Sequence, residues 1–216
     1  MHRYEEIGAE DIQCRSGLMI DAVLHKAVDL STGRTWAVKT LTPMREADRK
    51  KPWKNDVLRY IQELERLKHK HIALFFHSYG YGGGGPLNVV FELYQKGNMH
   101  KLINARRAHG VRDLRLVRAF IEQILPALMF LHGEGFVPAE MSSLSILCDG
   151  EPGEVNLVVE RMTAIGTLQL FSEDELKLTR VYYSPETHSR GHMDKKSNMF
   201  SVGLILTEIL GYFDPQ

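Results

Sequence analysis

Thr35-Trp36-Ala37-Val38-Lys39-Thr40-Leu41 reads as a β-strand, and what precedes it gives it a partner. Asp29-Leu30-Ser31-Thr32-Gly33-Arg34 supplies a turn, and Leu18 to Val28 before it is apolar and β-tolerant. Two adjacent strands and a turn predict a hairpin. Downstream, residues 42–56 are polar and mix Arg45, Arg49, Lys50, Lys51 and Lys54 with Glu46, Asp48 and Asp56, which reads as a solvated loop. Val57, Ile61, Leu64 and Leu67 then recur at helical spacing. Ile72 to Tyr79 and Leu87 to Leu93 read as two more strands. The glycine run between them, Gly80 to Pro86, has no Gly-Lys-Ser/Thr after it and opens no helix, so it reads as a hairpin turn and not as a phosphate loop.

Past residue 97 the period changes. Met99 to Arg107 predicts one helix and Leu114 to His132 another, with Val117, Phe120, Ile121, Ile124, Leu128 and Leu131 on its stripe and Pro126 expected to kink it. Met199 to Leu210 is apolar nearly all round, which predicts a helix buried on most sides. The map is therefore α+β and bilobal: a sheet-rich lobe over residues 1–94, a connector at 95–97 and a helical lobe over 98–216, with a cleft between lobes as the default ligand site.

Composition narrows the function classes. There are 27 basic and 27 acidic side chains, a net charge of zero that gives no bulk reason to expect nucleic acid or an anionic membrane as partner. Cys14 and Cys148 are too few for a disulfide scaffold, so a reducing compartment, the cytoplasm or the nucleus, is expected. The N-terminal residues are polar, and the longest apolar stretch, Ser201 to Leu210, is broken by Thr207 and Glu208 and is too short to span a bilayer. His69, His71 and His77, or His188 with His192, lack a fourth ligand at sensible spacing, so no metal site is expected.

Several short motifs, in this order, resemble those of eukaryotic protein kinases. Ala37-Val38-Lys39 resembles the strand whose lysine grips the nucleotide phosphates, and Leu64-x-x-Leu67-x-His69-x-His71-Ile72 the end of the C-helix and the strand entry after it. Val89 to Tyr94 looks like the strand entering the hinge, with Phe91 at the gatekeeper position. Phe120 to His132 resembles the long helix before the catalytic loop, Thr179 to Glu186 the end of the activation segment, and Asn198 to Gly203 the start of the F-helix. The resemblance covers residues 15–213 and implies a kinase-like fold that stops just after the F-helix, with an incomplete helical lobe. It also implies which residues would hold adenine: Leu24, Ala37 and Leu147 around the ring, the backbone near Glu92 and Tyr94 at the hinge, and Lys39 on the phosphates. All of these also read as plain core and strand residues.

The chain departs from the family where phosphate chemistry is done. The glycine-rich loop falls on Gly17 to Leu24 and keeps only its first glycine, with Met19, Asp21 and Ala22 where bare backbone must approach phosphate. The carboxylate that should hold Lys39 is Tyr60, and Glu63 replaces it only if the helix shifts by a turn. The catalytic loop falls on Pro138 to Ser145. There Glu140 stands at the base position, Ala139 replaces the arginine that would pair an activating phosphate, and Ser145 replaces a metal-binding asparagine. The metal-binding aspartate falls on Val159, with Glu160 one place off and Asp149 near. The resemblance thus implies a pseudokinase: a scaffold or allosteric regulator of a protein partner, another kinase or a second copy, with ATP bound, if at all, without normal magnesium coordination. The alternatives are an unorthodox ATP-dependent Ser/Thr kinase built on Lys39 and Glu140, and an incomplete or decayed gene product. Phosphorylation at Thr163, Thr167, Ser172 or Thr179 is not expected to activate the chain, and Ser172-Glu173-Asp174-Glu175 also reads as a helix capping box. An incomplete helical lobe would uncover Phe200, Leu204, Ile205, Ile209 and Leu210 and leave Glu186 without an ion-pair partner, which predicts an exposed apolar surface and association.

Overall fold

A computed structural model describes residues 3–7, 12–15, 20–43, 62–63, 65–80, 85–107, 113–138, 141–150, 156–159, 173–190 and 193–215. The chain forms two compact units, one holding the strands up to Lys68 and Leu74–Leu93, the other His69–Ala73 and the helices and hairpin from Tyr94 on. In the first unit, β1 (Tyr4–Glu6), β2 (Ile12–Arg15), β3 (Ile20–Asp29), β4 (Thr35–Pro43), β5 (Phe75–Tyr79) and β6 (Leu87–Glu92) form one antiparallel sheet. Its order is β1-β3-β4-β6-β5, with β2 also pairing β3.

The β3–β4 hairpin closes through its own turn residues. The Asp29 carboxylate accepts from Ser31 N (2.9 Å), Ser31 Oγ (2.6 Å) and Thr32 Oγ1 (2.9 Å), an Asx-type turn. Gly33, at φ +71°, takes the left-handed conformation that lets its N–H reach Asp29 O at 2.7 Å. Register then sorts side chains by face. Ala27, Trp36, Val38 and Val90 form a buried cluster on one face, with Tyr4 and Tyr79 packed against it. Leu24 stands opposite Lys39, which stands opposite Val89, and Ala37 stands opposite Phe91, so these five share the other face.

The second unit contains α1 (Met99–Arg107), α2 (Leu114–Gly133), a 3-10 turn at Ser143–Ser145, a hairpin of β7 (Ile146–Asp149) and β8 (Asn156–Val159), α3 (Glu173–Arg180), α4 (Pro185–Arg190) and α5 (Lys195–Ile209). Asp113 caps α2 by accepting from Leu116 N at 3.0 Å. The helix buries Leu116, Phe120, Ile124, Ala127, Leu128 and Leu131. Ile121, expected on that stripe, is 43% exposed, because one residue beyond Phe120 is roughly 100° round the helix. The helix runs through Pro126, which lies on its exposed side.

Asp194 caps α5, accepting from Lys196 N and Ser197 N, both at 2.8 Å. Burial of α5 is one-sided: Met199 and Phe200 are exposed, while Ser197, Asn198, Ser201, Val202, Ile205, Glu208 and Ile209 are buried. The expectation that Ile205 and Ile209 would lose their cover is thereby corrected. Polar residues sit on the inner face because buried carbonyls need donors there. Asn198 Nδ2 donates to Pro138 O at 2.7 Å and Ser201 Oγ to Tyr182 O at 2.8 Å.

The expected strand Ile72–Tyr79 is also corrected. Pairing in the sheet begins at Phe75, and Ile72 forms an isolated parallel bridge to Val159 in the second unit. Val159 N donates to His71 O and Ala73 N to Val159 O, both at 2.9 Å. His71 Nδ1 bonds Leu157 O at 2.9 Å, and His69 stacks on Phe130 at 5.3 Å. Burial holds both imidazoles below their ordinary value, with neighbouring charge adding to the effect. The unfolded chain therefore binds more protons just below that value, so stability is full above about pH 6.5 and falls as pH drops through the window beneath it. A thermal-melt series from neutral to mildly acid pH should show this decline. It should be shallower in His71→Gln, which keeps a donor but cannot titrate. An unchanged slope would show that other groups carry it.

Residues 44–61 and 81–84, which include most of the solvated loop expected at 42–56, most of the expected C-helix and the centre of the glycine run, lie outside the described residues, while Thr42 and Pro43 belong to β4. Among the described residues no helix is long and apolar enough to cross a membrane.

Candidate active site

The adenine-site candidates divide between the units. Leu24, Ala37, Lys39 and Glu92 belong to the first, Tyr94 and Leu147 to the second. On the first unit's sheet, Leu24, Ala37 and Lys39 are half-buried neighbours on one face. Lys39 Nζ lies 5.9 Å from the centroid of the Phe91 ring, at the limit of cation–π reach. Glu63, the alternative partner considered for Lys39, has Oε2 3.2 Å from Arg66 Nη2, and Tyr60 lies outside the described residues. The Glu92 side chain turns to the other face, where its Oε1 pairs with Arg34 Nη2 at 2.7 Å. The Glu92 N–H donates to Leu74 O at 3.0 Å.

In the second unit, Tyr94 O accepts from Gly97 N at 3.2 Å, closing a turn in which Gly97 has φ +73°. Gly97 O in turn accepts from Cys148 N at 2.8 Å, and Asn98 bridges Leu147, so Leu147 is held by its backbone on both sides of β7. Two of the hinge backbone groups considered for a flat ring, Glu92 N–H and Tyr94 C=O, are thus already hydrogen-bonded.

Ser145 and Val159, the two positions that the resemblance implies for metal, both lie among the described residues. Ser145 is fully buried, and its Oγ accepts from Ser142 N at 3.0 Å and donates to Ser142 O at 2.9 Å. The hydroxyl therefore staples the 3-10 turn to its own start. Val159 is fully buried in β8, opposite Ile146 and bonded to the His71–Ala73 strap. No oxygen donor stands there. Asp149 ends β7 opposite Asn156, and Glu140, Ala139 and Glu160 lie outside the described residues, as do residues 17–19 of the loop. Among the described residues no three His, Cys, Asp or Glu side chains converge as a metal site.

Two further candidates are closed off. Burial pushes the Cys148 thiol up to about 12, so it stays protonated and unreactive at neutral pH. Thr179 has no exposed surface, and its Oγ1 has no hydrogen-bond partner among the described residues. Thr163, Thr167 and Ser172 lie outside those residues. Glu186 is exposed; Ser197 Oγ donates to its Oε1 at 3.4 Å, and hydrogen bonds from its own N–H and from Ser184 hold its carboxyl below the usual range.

A buried polar cluster beneath this region was not anticipated from the sequence. Glu208, on the inner face of α5, is fully buried and accepts from Tyr182 Oη (2.7 Å), His100 Nδ1 (3.0 Å) and Ser143 Oγ (3.2 Å). Burial, then the Glu208 charge, raises the Tyr182 hydroxyl well above its ordinary value, so it remains a donor. The signal available was the lone glutamate in an apolar helix, which read only as an interruption of the stretch.

Comparison with known proteins places this geometry. The chain is similar to protein-tyrosine kinase 6 of Mus musculus, 28% identical over 154 residues, 69% of this chain and 32% of that protein. It is similar to the serine/threonine-protein kinase STE20 of Kluyveromyces lactis, 25% identical over 192 residues, 87% of this chain and 18% of that one. It also resembles the cytokinesis protein sepH of Emericella nidulans, 26% identical over 192 residues, 87% of this chain and 13% of that protein. The chain thus spans less than a third of the length of each of these relatives, and they include tyrosine and serine/threonine kinases alike. The protein kinase domain model matches residues 21–215, so a sheet carrying Lys39 and Phe91, a helical unit and the turn before β7 take their place in one pattern: this chain belongs to the protein kinase family, with an α+β kinase-type fold.

Proposed function

We propose that this chain is a kinase-fold binding or scaffold domain that regulates a protein partner and does not carry out ordinary phosphoryl transfer. The observation that carries the reading is the state of the two metal positions. Ser145 Oγ is committed to Ser142, and Val159 offers no donor inside a buried strand. Phosphoryl transfer is mainly positioning and charge neutralisation around Mg²⁺, and removing one preorganised group often costs on the order of 10²–10³ in rate. The donor set at these two positions does not fit the metal. Apolar Leu24 and Ala37, half-buried on one face of the first unit's sheet, do suit a flat aromatic ring, so nucleotide binding without normal magnesium coordination belongs to the same reading. A reducing compartment, the cytoplasm or nucleus, suits the free, buried Cys148 thiol.

Thermal-shift titration with ATP, with and without Mg²⁺, tests this. A working ATP·Mg²⁺ site at a hundredfold over Kd would add about 2.7 kcal/mol. That is roughly 5–10 °C in Tm for a chain of this size. The expected result is no magnesium-dependent shift; a shift of that size with Mg²⁺ alone making the difference overturns the reading. The second reading, an unorthodox kinase, draws on Lys39 standing beside Leu24 and Ala37 on one sheet face. It requires phosphotransfer that disappears in both Lys39→Met and Glu140→Gln.

A further inference from the structure

We propose that the outward face of α2 is a self-association surface through which two copies of this chain pair, their α2 helices antiparallel about a two-fold axis between Ile121 and Glu122. This stands apart from whether the chain transfers phosphate. α2 is apolar on two faces. Besides its buried stripe it presents Leu114 (70% exposed), Ile121, Leu125 (half-buried) and Met129 (74% exposed). With Arg118 these follow one another at spacings of four, three, four and four residues, the repeat of a helix-to-helix seam. Leu114 to Met129 spans roughly 22 Å at ~1.5 Å rise per residue.

Charge selects the occupant and its direction. Arg118, within the repeat, pairs with Glu122 on one flank, Nε to Oε1 at 2.8 Å, and exposed Arg115 lies on that same flank. The other flank carries Val117 and runs into the buried stripe. A two-fold axis perpendicular to both helices keeps each flank on its own side. Arg118 of one copy then faces Glu122 of the other, about 4.5 Å apart along the axis, and the two pairs make an alternating ring of four charges. Leu114 of one copy meets Met129 of the other, and the helix dipoles oppose. A parallel pairing would set each charged flank against an uncharged one. One helix face is small beside the ~800 Å² per partner of a standard interface, so the dimer is weak and forms in the high micromolar range.

Sedimentation equilibrium over a concentration series should show a monomer–dimer equilibrium. Met129→Lys, at an exposed position, should abolish it with the circular dichroism spectrum and Tm unchanged. Arg118→Glu should weaken it, and Arg118→Glu with Glu122→Arg should restore it. In a Cys14→Ser background, Leu114→Cys with Met129→Cys should cross-link into a covalent dimer under oxidation, and Leu114→Cys alone should not. A monomer at every concentration, a dimer indifferent to Met129→Lys, or cross-linking by Leu114→Cys alone would each overturn the proposal.

Discussion

Replacing Glu208 by leucine is expected to cost the second unit on the order of 4 kcal/mol, close to half the stability of an ordinary domain. The loss comes from what is left behind. Tyr182 Oη, His100 Nδ1 and Ser143 Oγ all donate to this one fully buried carboxylate, and an apolar side chain leaves them only one another, Ser143 Oγ lying 3.0 Å from Tyr182 Oη and 3.3 Å from His100 Nδ1, with too few acceptors for their protons. Glu208→Gln keeps the shape and one acceptor oxygen, so it should lose clearly less. Tyr182→Phe, which removes only one donor, should lose about 1–2 kcal/mol. Urea unfolding midpoints at constant m-value measure all three. A neutral leucine variant would show that water reaches the cluster and that the buried bonds do not carry this stability.

Val159→Asp is the second large effect, and it addresses function directly. It installs the residue type that the resemblance to kinases implies for metal at this position. Val159 is fully buried in β8 and bonded on both sides, to Ile146 and to the His71–Ala73 strap. A carboxylate placed there has no cationic partner among the contacts described, and the expected cost is on the order of 4 kcal/mol or more. No magnesium-dependent stabilisation by ATP should appear. Val159→Thr keeps the shape and buries a hydroxyl, with an expected loss of about 1–3 kcal/mol. A stable aspartate variant whose Tm rises with ATP and Mg²⁺ would mean that the position faces a ligand site after all.

The legible parts of the chain were those whose cause is local. The β3–β4 hairpin announces itself because Asp29, Ser31, Thr32 and Gly33 build their turn from adjacent residues. Phe120, Ile124, Leu128 and Leu131 were found because helical period alone sorts them. The misreadings share a different cause: the deciding partner is remote. Ile72 looks like the start of β5 until Val159, 87 positions on, claims it. The inner face of α5 could not be told from its outer face by hydropathy, since Ser197, Asn198 and Ser201 turn inward to meet buried carbonyls and Phe200 turns out. Of the candidate site, motif order alone suggests the metal positions at Ser145 and Val159. What occupies those places, a turn-closing hydroxyl and a strand interior, it does not show.

The Glu208 cluster also sets an order of events during synthesis. Its three contacts span 26 residues to Tyr182, 65 to Ser143 and 108 to His100. Loop-closure entropy rises as (3/2)RT ln n, so closing on His100 costs about 1.3 kcal/mol more than closing on Tyr182. None of the three can form until Glu208 has emerged from the ribosome. Until then α1 and the turn at Ser143 wait with their donors facing water. Until Glu208 emerges, the nascent second unit is therefore held only by its nearer contacts, and its locking follows, with Tyr182 joining first and α1 last.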